Sequence, residues 1–150
     1  MALRAFGWLD LPPVWTLGFM TAAGACARID APFDDTLRVP GVVVMLVALG
    51  LILWAVAHLR RAETTVMPHG EPRVLVRTGP YRFSRNPIYV GDLVLLFGFA
   101  LWTGQPLGAV LALPLAAVLH RRFIVPEERR LEANFDAMFR AWRAEIPRWL

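Results

Sequence analysis

Residues 39–59 of the chain, VPGVVVMLVALGLILWAVAHL, hold no charged side chain. A run of that length crosses the ~30 Å hydrocarbon core of a bilayer as one helix. A helix apolar on every side needs either a large protein core or lipid around it. Three further blocks repeat the signal: 11–27 (LPPVWTLGFMTAAGACA), marginal in length, 87–104 (PIYVGDLVLLFGFALWTG) and 105–120 (QPLGAVLALPLAAVLH). Gly104 and Pro106 interrupt the last two, so these read as a tight helical hairpin. The hydrophobic fraction, 57% of 150 residues, exceeds the roughly 45–50% of soluble domains, and the excess is gathered in these blocks. The expectation is an all-α integral membrane protein of about four transmembrane helices. It forms one membrane domain, with two spans in 1–59 and the chemistry in 60–150.

Charge sorts the connections. The 28–38 loop mixes two arginines with three aspartates, and the turn at 103–106 is uncharged. The loop at 60–86 holds six arginines and the tail at 121–150 holds seven. Four spans put both arginine-rich segments and the amino terminus on one face, which the positive-inside rule makes cytoplasmic. All sixteen basic residues are arginine, the net charge is +4, and Cys26 is the single cysteine. That excludes an intrachain disulfide and any CxxC metal or redox site. In so apolar a chain the basic excess points to anionic lipid headgroups, not to nucleic acid. Arg4, the apolar run after it and Ala23-Gly24-Ala25-Cys26 loosely imitate a signal peptide or lipoprotein site. Early Pro12 and Pro13, and the missing leucine three residues before Cys26, speak against that.

The segment RTGPYRFSRNPIYVGD (77–92) does something a span does not need. Thr78-Gly79-Pro80 reads as a turn. Asn86 suits the N-cap and Pro87 the first position of the third helix. Arg82 and Arg85 lie three apart and can aim two guanidinium groups at an anion. Tyr81 and Tyr89 are either interfacial belt anchors or the covers of a planar ligand that Gly79 and Gly91 let the backbone approach. Asp92 is the lone acid inside an apolar block, and an ionisable group in a span is a functional-site hypothesis by default.

In the tail, Glu127 and Glu128 open a helix, where two acids also suit the helix dipole. Leu131, Phe135, Met138, Phe139, Trp142 and Ile146 follow at helical spacing. Such a stripe packs on the membrane surface or on the hairpin. The hairpin brings its cytoplasmic ends together, so the acids at 127–128 converge with the Tyr/Arg/Gly cluster. Acids for an ammonium, arginine for a carboxylate and tyrosines for a flat ring together match S-adenosylmethionine.

Two ordered motifs, TGPYRFSRNPIYVG and PEERRLEANFDAMFRAWRAEIPRW, resemble the isoprenylcysteine carboxyl methyltransferase family, whose wider relatives include membrane phospholipid N-methyltransferases. The resemblance covers about residues 60–150 and takes in Thr65, Pro68, Gly79-Pro80-Tyr81, Arg85-x-Pro87-x-Tyr89-x-Gly91, the Glu127-Glu128 pair and Pro147-Arg148. It implies a membrane enzyme that uses S-adenosylmethionine without a soluble Rossmann domain. Its cofactor pocket lies at the cytoplasmic membrane edge, under an amphipathic C-terminal helix. Gly79, Tyr81, Arg85, Pro87 and Tyr89, with Asn86 among them, line the cofactor side. Glu127 and Glu128 hold the amino group or ribose, Arg148 closes the site, and His69 reaches it from the preceding loop. Asn86 stands where the family often has histidine, and asparagine does not titrate near neutrality.

The expected chemistry is in-line displacement at a sulfonium methyl, in which the protein positions a nucleophile and excludes water. A carboxylate or thiolate acceptor needs no strong base, and Arg82 or Arg148 orients it. An amine needs a base, from Asp92 or Glu128. Small-molecule or lipid-like acceptors are the expected partners, and the bacterial inner membrane the expected location. Two rival classes remain: a membrane reductase with a nicotinamide cofactor, which the paired acids disfavour, and a non-catalytic scaffold, which leaves the double motif unexplained.

Overall fold

The computed structural model describes residues 10–27, 35–67, 70–104 and 106–150, and no strand occurs among them. Helix α1 (Pro12–Ala27) is followed by α2 (Arg38–Arg61), α3 (Pro87–Trp102), α4 (Ala112–Leu119) and α5 (Val125–Glu145). Short 3-10 turns occupy Asp35–Leu37, Gly79–Arg82 and Pro106–Leu111. His69, Pro68, Arg4 and most of the 28–38 loop lie outside the described residues.

Two helical stretches are long and apolar enough to cross a membrane, α2 and Gly108–Glu145. Only 11% of the most apolar stretch of α2 is buried within the protein. The core helix of a soluble protein is mostly buried, so an apolar helix this exposed is one that lipid surrounds. Val39, Val43, Leu46, Val47 and Leu53 stand exposed along it. Helices α1 and α3 have 16 residues each, about 24 Å at ~1.5 Å per residue, short of a full crossing.

The fourth apolar block does not stop at Arg121-Arg122. The backbone continues through a π-helical turn, His120–Ile124, into α5. Pro126 lacks the N–H that would bond the carbonyl of residue 122, and its ring crowds that carbonyl. A wide turn just before it takes up the mismatch.

The chain divides into two compact units, Met1–Ala48 with Asp92–Ala117, and Leu49–Gly91 with Val118–Leu150. The first is packed through small residues. A Cβ at Gly41 would run into the backbone of Trp102 and Gly98, and one at Gly98 would come 2.9 Å from the amide nitrogen of Met45. Helices α2 and α3 thus touch backbone to backbone here and run antiparallel, as small residues allow in lipid. Gly108 faces Ala100 and Ala23 in the same way, and Gly24 lies against the Phe99 ring.

The core of the second unit is the cluster of Ala55, Val76, Tyr81, Phe139 and Trp142, with Leu131, Phe135 and Ile146 packed on it. This is the expected stripe of α5, less Met138, which is exposed at 55%. The backbone of α5 leaves helical geometry at Asp136, with φ 33°.

Candidate functional site

The 77–92 segment folds against α5 and the carboxyl-terminal residues. Gly79 has φ +60°, and its missing side chain is where the ring of His58 rests. His58 is fixed in turn by a 2.9 Å bond between Nδ1 and the Trp54 carbonyl and by edge-on contact with the Trp54 ring at 5.8 Å. The sequence reading did not single out His58; its histidine ends an apolar run and looks like a helix terminus. In the 3-10 turn that follows, Tyr81 points inward and is buried. Burial, with Glu127 nearby, pushes its phenol up and keeps it neutral. Arg82, the next residue, is exposed.

The tail is clasped to the motif. The Asn86 amide donates to the Arg148 carbonyl at 2.9 Å, the Ser84 hydroxyl donates to the same carbonyl at 3.3 Å, and the backbone N–H of Arg85 donates to the Pro147 carbonyl at 3.0 Å. The side chain of Arg148 reaches Glu128 through Nε at 3.1 Å and Nη2 at 2.7 Å. Arg85 Nη1 lies 2.8 Å from the same carboxylate. Glu128 is thus a buried anion between two guanidinium groups, the arrangement that offsets the cost of burying charge. Burial lowers the Arg85 pKa and Glu128 acts against that. The hydrogen bond to Glu128 raises the pKa of Arg148.

In front of this clasp lies a cleft lined by Tyr81, Arg85, Glu127, Arg130, Leu131 and Trp142, with the 64–76 loop as its other wall. Its cavity volume is about 50 Å³, and the space between its walls, open solvent at the mouth included, is about 510 Å³. Glu127 accepts a hydrogen bond from the Tyr89 hydroxyl at 3.0 Å, and the Tyr89 ring stacks on Phe123 at 6.3 Å. Burial pushes the Glu127 carboxyl up to about 7; the Tyr89 bond and the charge of Arg130 oppose this, and Glu128 adds to it. A carboxyl poised near neutrality in a cleft is the type of group that binds a cation or moves a proton.

The structure therefore brings Tyr81, Arg85 and Glu127 together at one cleft and places Tyr89 behind Glu127. Asn86, Glu128 and Arg148 form the clasp. Gly79 shapes the loop, and Pro87, buried, opens α3. Arg82 is at the surface. Asp92 belongs to the first unit, 4% exposed. There the buried Thr16 hydroxyl donates to the Pro12 carbonyl at 3.1 Å and is also within hydrogen-bonding reach of Asp92. His69 lies outside the described residues. Arg130 and Trp142 line the cleft but were not expected there, because one reads as surface charge and the other as packing.

A family model, phospholipid methyltransferase, matches residues 37–137. The chain belongs to the phospholipid methyltransferase family. These are membrane methyltransferases related to the isoprenylcysteine carboxyl methyltransferases, so the resemblance of the two motifs holds, and the protein is a membrane methyltransferase by family. The phospholipid methyltransferase match takes in α2, the 77–92 motif and both glutamates, and ends before Trp142 and Arg148. No curated protein and no solved structure matches the chain.

Proposed function

We propose that the protein is an integral membrane methyltransferase that takes its methyl group from S-adenosylmethionine and passes it to a small or lipid-like acceptor. The observation that carries this reading is the Glu127–Arg85–Tyr81 cleft in a chain of a methyltransferase family. The donor set suits the cofactor. Glu127 offers an acceptor for its ammonium and Tyr81 a flat face. Arg85 Nε is buried with no hydrogen-bond partner among the described residues, a donor that the cofactor's carboxylate would satisfy. Gly79, Asn86, Pro87, Tyr89 and Glu128 support these groups, and His69 is assigned to the cofactor on the motif resemblance alone. A cavity volume of about 50 Å³ is smaller than a nucleoside, so binding uses the open mouth of the cleft as well.

When bound, the cofactor supplies an electrophilic methyl on sulfur. The protein's part is to hold the acceptor in line and to keep water out. Arg82 or Arg148 orients an anionic acceptor, which needs no base. For an amine acceptor the base of choice becomes Glu127. Both oxygens of Glu128 are engaged by Arg85 and Arg148, and Asp92 keeps the helix-buried position described above. We assign four spans across the bacterial inner membrane, with both termini and the site on the cytoplasmic side. The whole chain is one membrane domain, of which 60–150 is the catalytic region. The test is calorimetric titration of detergent-solubilised protein with S-adenosylhomocysteine. Micromolar binding that Glu127→Gln loses supports the reading, and absence of binding to folded wild type overturns it.

A further inference from the structure

Trp142 is 2% exposed, lines the cleft beside Tyr81 and Arg85, and its Nε1–H finds no acceptor among the described residues. Native interiors leave few buried donors unpaired, and each is costly. The rest of the indole is well housed, edge-on to Phe139 at 6.1 Å and packed with Ala55 and Val76. A stripe position that only had to fill this core would be served by phenylalanine, which brings no polar atom. What tryptophan adds is size and one N–H. The surroundings are aromatic and aliphatic (Tyr81, Val76, Leu131), a wall suited to a flat, uncharged ring, while the charged groups Arg85 and Glu127 stand in the same cleft.

We propose that Trp142 is a binding residue of the methyl-donor site, its Nε1–H donating to a ring nitrogen or hydroxyl oxygen of the bound nucleoside. The inference rests on the methyltransferase reading above and adds a residue beyond the stretch that the family model matches. Among the described residues the N–H has no acceptor, and the ligand supplies one.

The experiment compares wild type with Trp142→Phe, both labelled with ¹⁵N in the indole, in calorimetric titration with S-adenosylhomocysteine and in thermal unfolding without ligand. The variant is expected to bind about tenfold more weakly, the loss of one neutral hydrogen bond. The melt without ligand checks that the variant is folded, since the smaller ring leaves a cavity in the core. The one indole N–H resonance missing from the variant should move when ligand is added to wild type. Equal affinities or a resonance that does not move each overturn the proposal. If folded wild type binds no S-adenosylhomocysteine, the methyltransferase reading itself falls, a result distinct from equal binding by the two proteins.

Discussion

The two units solve the problem of holding helices together in different ways. In the first, backbones approach at Gly41, Gly98 and Gly108, and the polar contact described there is that of Thr16 with Asp92 and the Pro12 carbonyl. In the second, Glu128 joins two arginines, Glu127 takes the Tyr89 hydroxyl, and the carbonyls of residues 147 and 148 are tied to the motif. Dispersion and close fit hold the first, where lipid offers no hydrophobic drive between helices. The second adds paired charges to its aromatic core. Charge fixes geometry tightly and carries chemistry, so a site belongs where the charges are already paired.

The largest effect should come from removing the hub of that network. Glu128→Leu leaves Arg85, whose side chain is 7% exposed, buried without its anion. Breaking a buried pair from one side costs roughly 3–5 kcal/mol, so the variant should unfold far earlier than wild type in a detergent melt. Arg85→Met combined with Glu128→Leu should recover much of that loss. A small effect of Glu128→Leu would break the comparison, since the clasp would then be incidental.

Next in size is Gly98→Leu in the first unit. The new side chain must push α2 and α3 apart at Met45, and overpacking of this kind costs about 1–3 kcal/mol. The same melt measures it. If Gly98→Leu proves as stable as wild type, the helices are not locked by close approach. Leucine is the commonest choice on lipid-facing surfaces, so a neutral result would mean that this face looks outward.

The third effect is on ligand affinity and depends on pH. With its carboxyl pushed up to about 7, Glu127 is half protonated near neutrality. Only the anion attracts an ammonium, so affinity for S-adenosylhomocysteine should rise with pH and level off above about 7. Binding should be about tenfold weaker at pH 6 than at pH 8, and Glu127→Gln should flatten the profile. Stability runs the opposite way. The folded state keeps this proton up to about pH 7, whereas the unfolded chain releases it near the ordinary ~4.3. The group's contribution is therefore full below that ordinary value and is lost as pH rises through about 7.

How much of this was legible in the sequence differs between the units for the same reason. The clasp and the cleft draw on residues whose spacing is informative. Arg85, Tyr89 and the 127–128 pair stand out because charge and rings at a span's edge have no packing excuse. The locking glycines of the first unit do not stand out, because a glycine in an apolar run also reads as a lipid-facing gap. The division of labour within the pair 127–128 was hidden as well. They are consecutive in one helix, yet one faces Tyr89 and the other two arginines, and only the fold decides which. Arg148 reads in the sequence as a residue that closes a site, and its pairing with Glu128 is visible only in the fold. Trp142 was invisible as a donor because its spacing already explained it as core.

The smallest predicted effect sharpens the comparison from within the second unit. Arg77 Nη2 lies 3.3 Å from Glu145 Oε2, but the two side chains are 44% and 64% exposed. Water screens such a pair and holding two long side chains costs entropy, so its contribution is at most about 0.5 kcal/mol. Arg77→Ala should therefore leave the melting temperature within error of wild type. Whatever effect remains should vanish as salt is raised, because exposed charges are screened within ~10 Å at 0.1 M. The buried Arg85–Glu128–Arg148 group should keep most of its effect in the same salt. A large, salt-resistant loss on Arg77→Ala would mean that arginine count alone, and not burial, sets the strength of the second unit. The contrast drawn between its clasp and its surface would then fail.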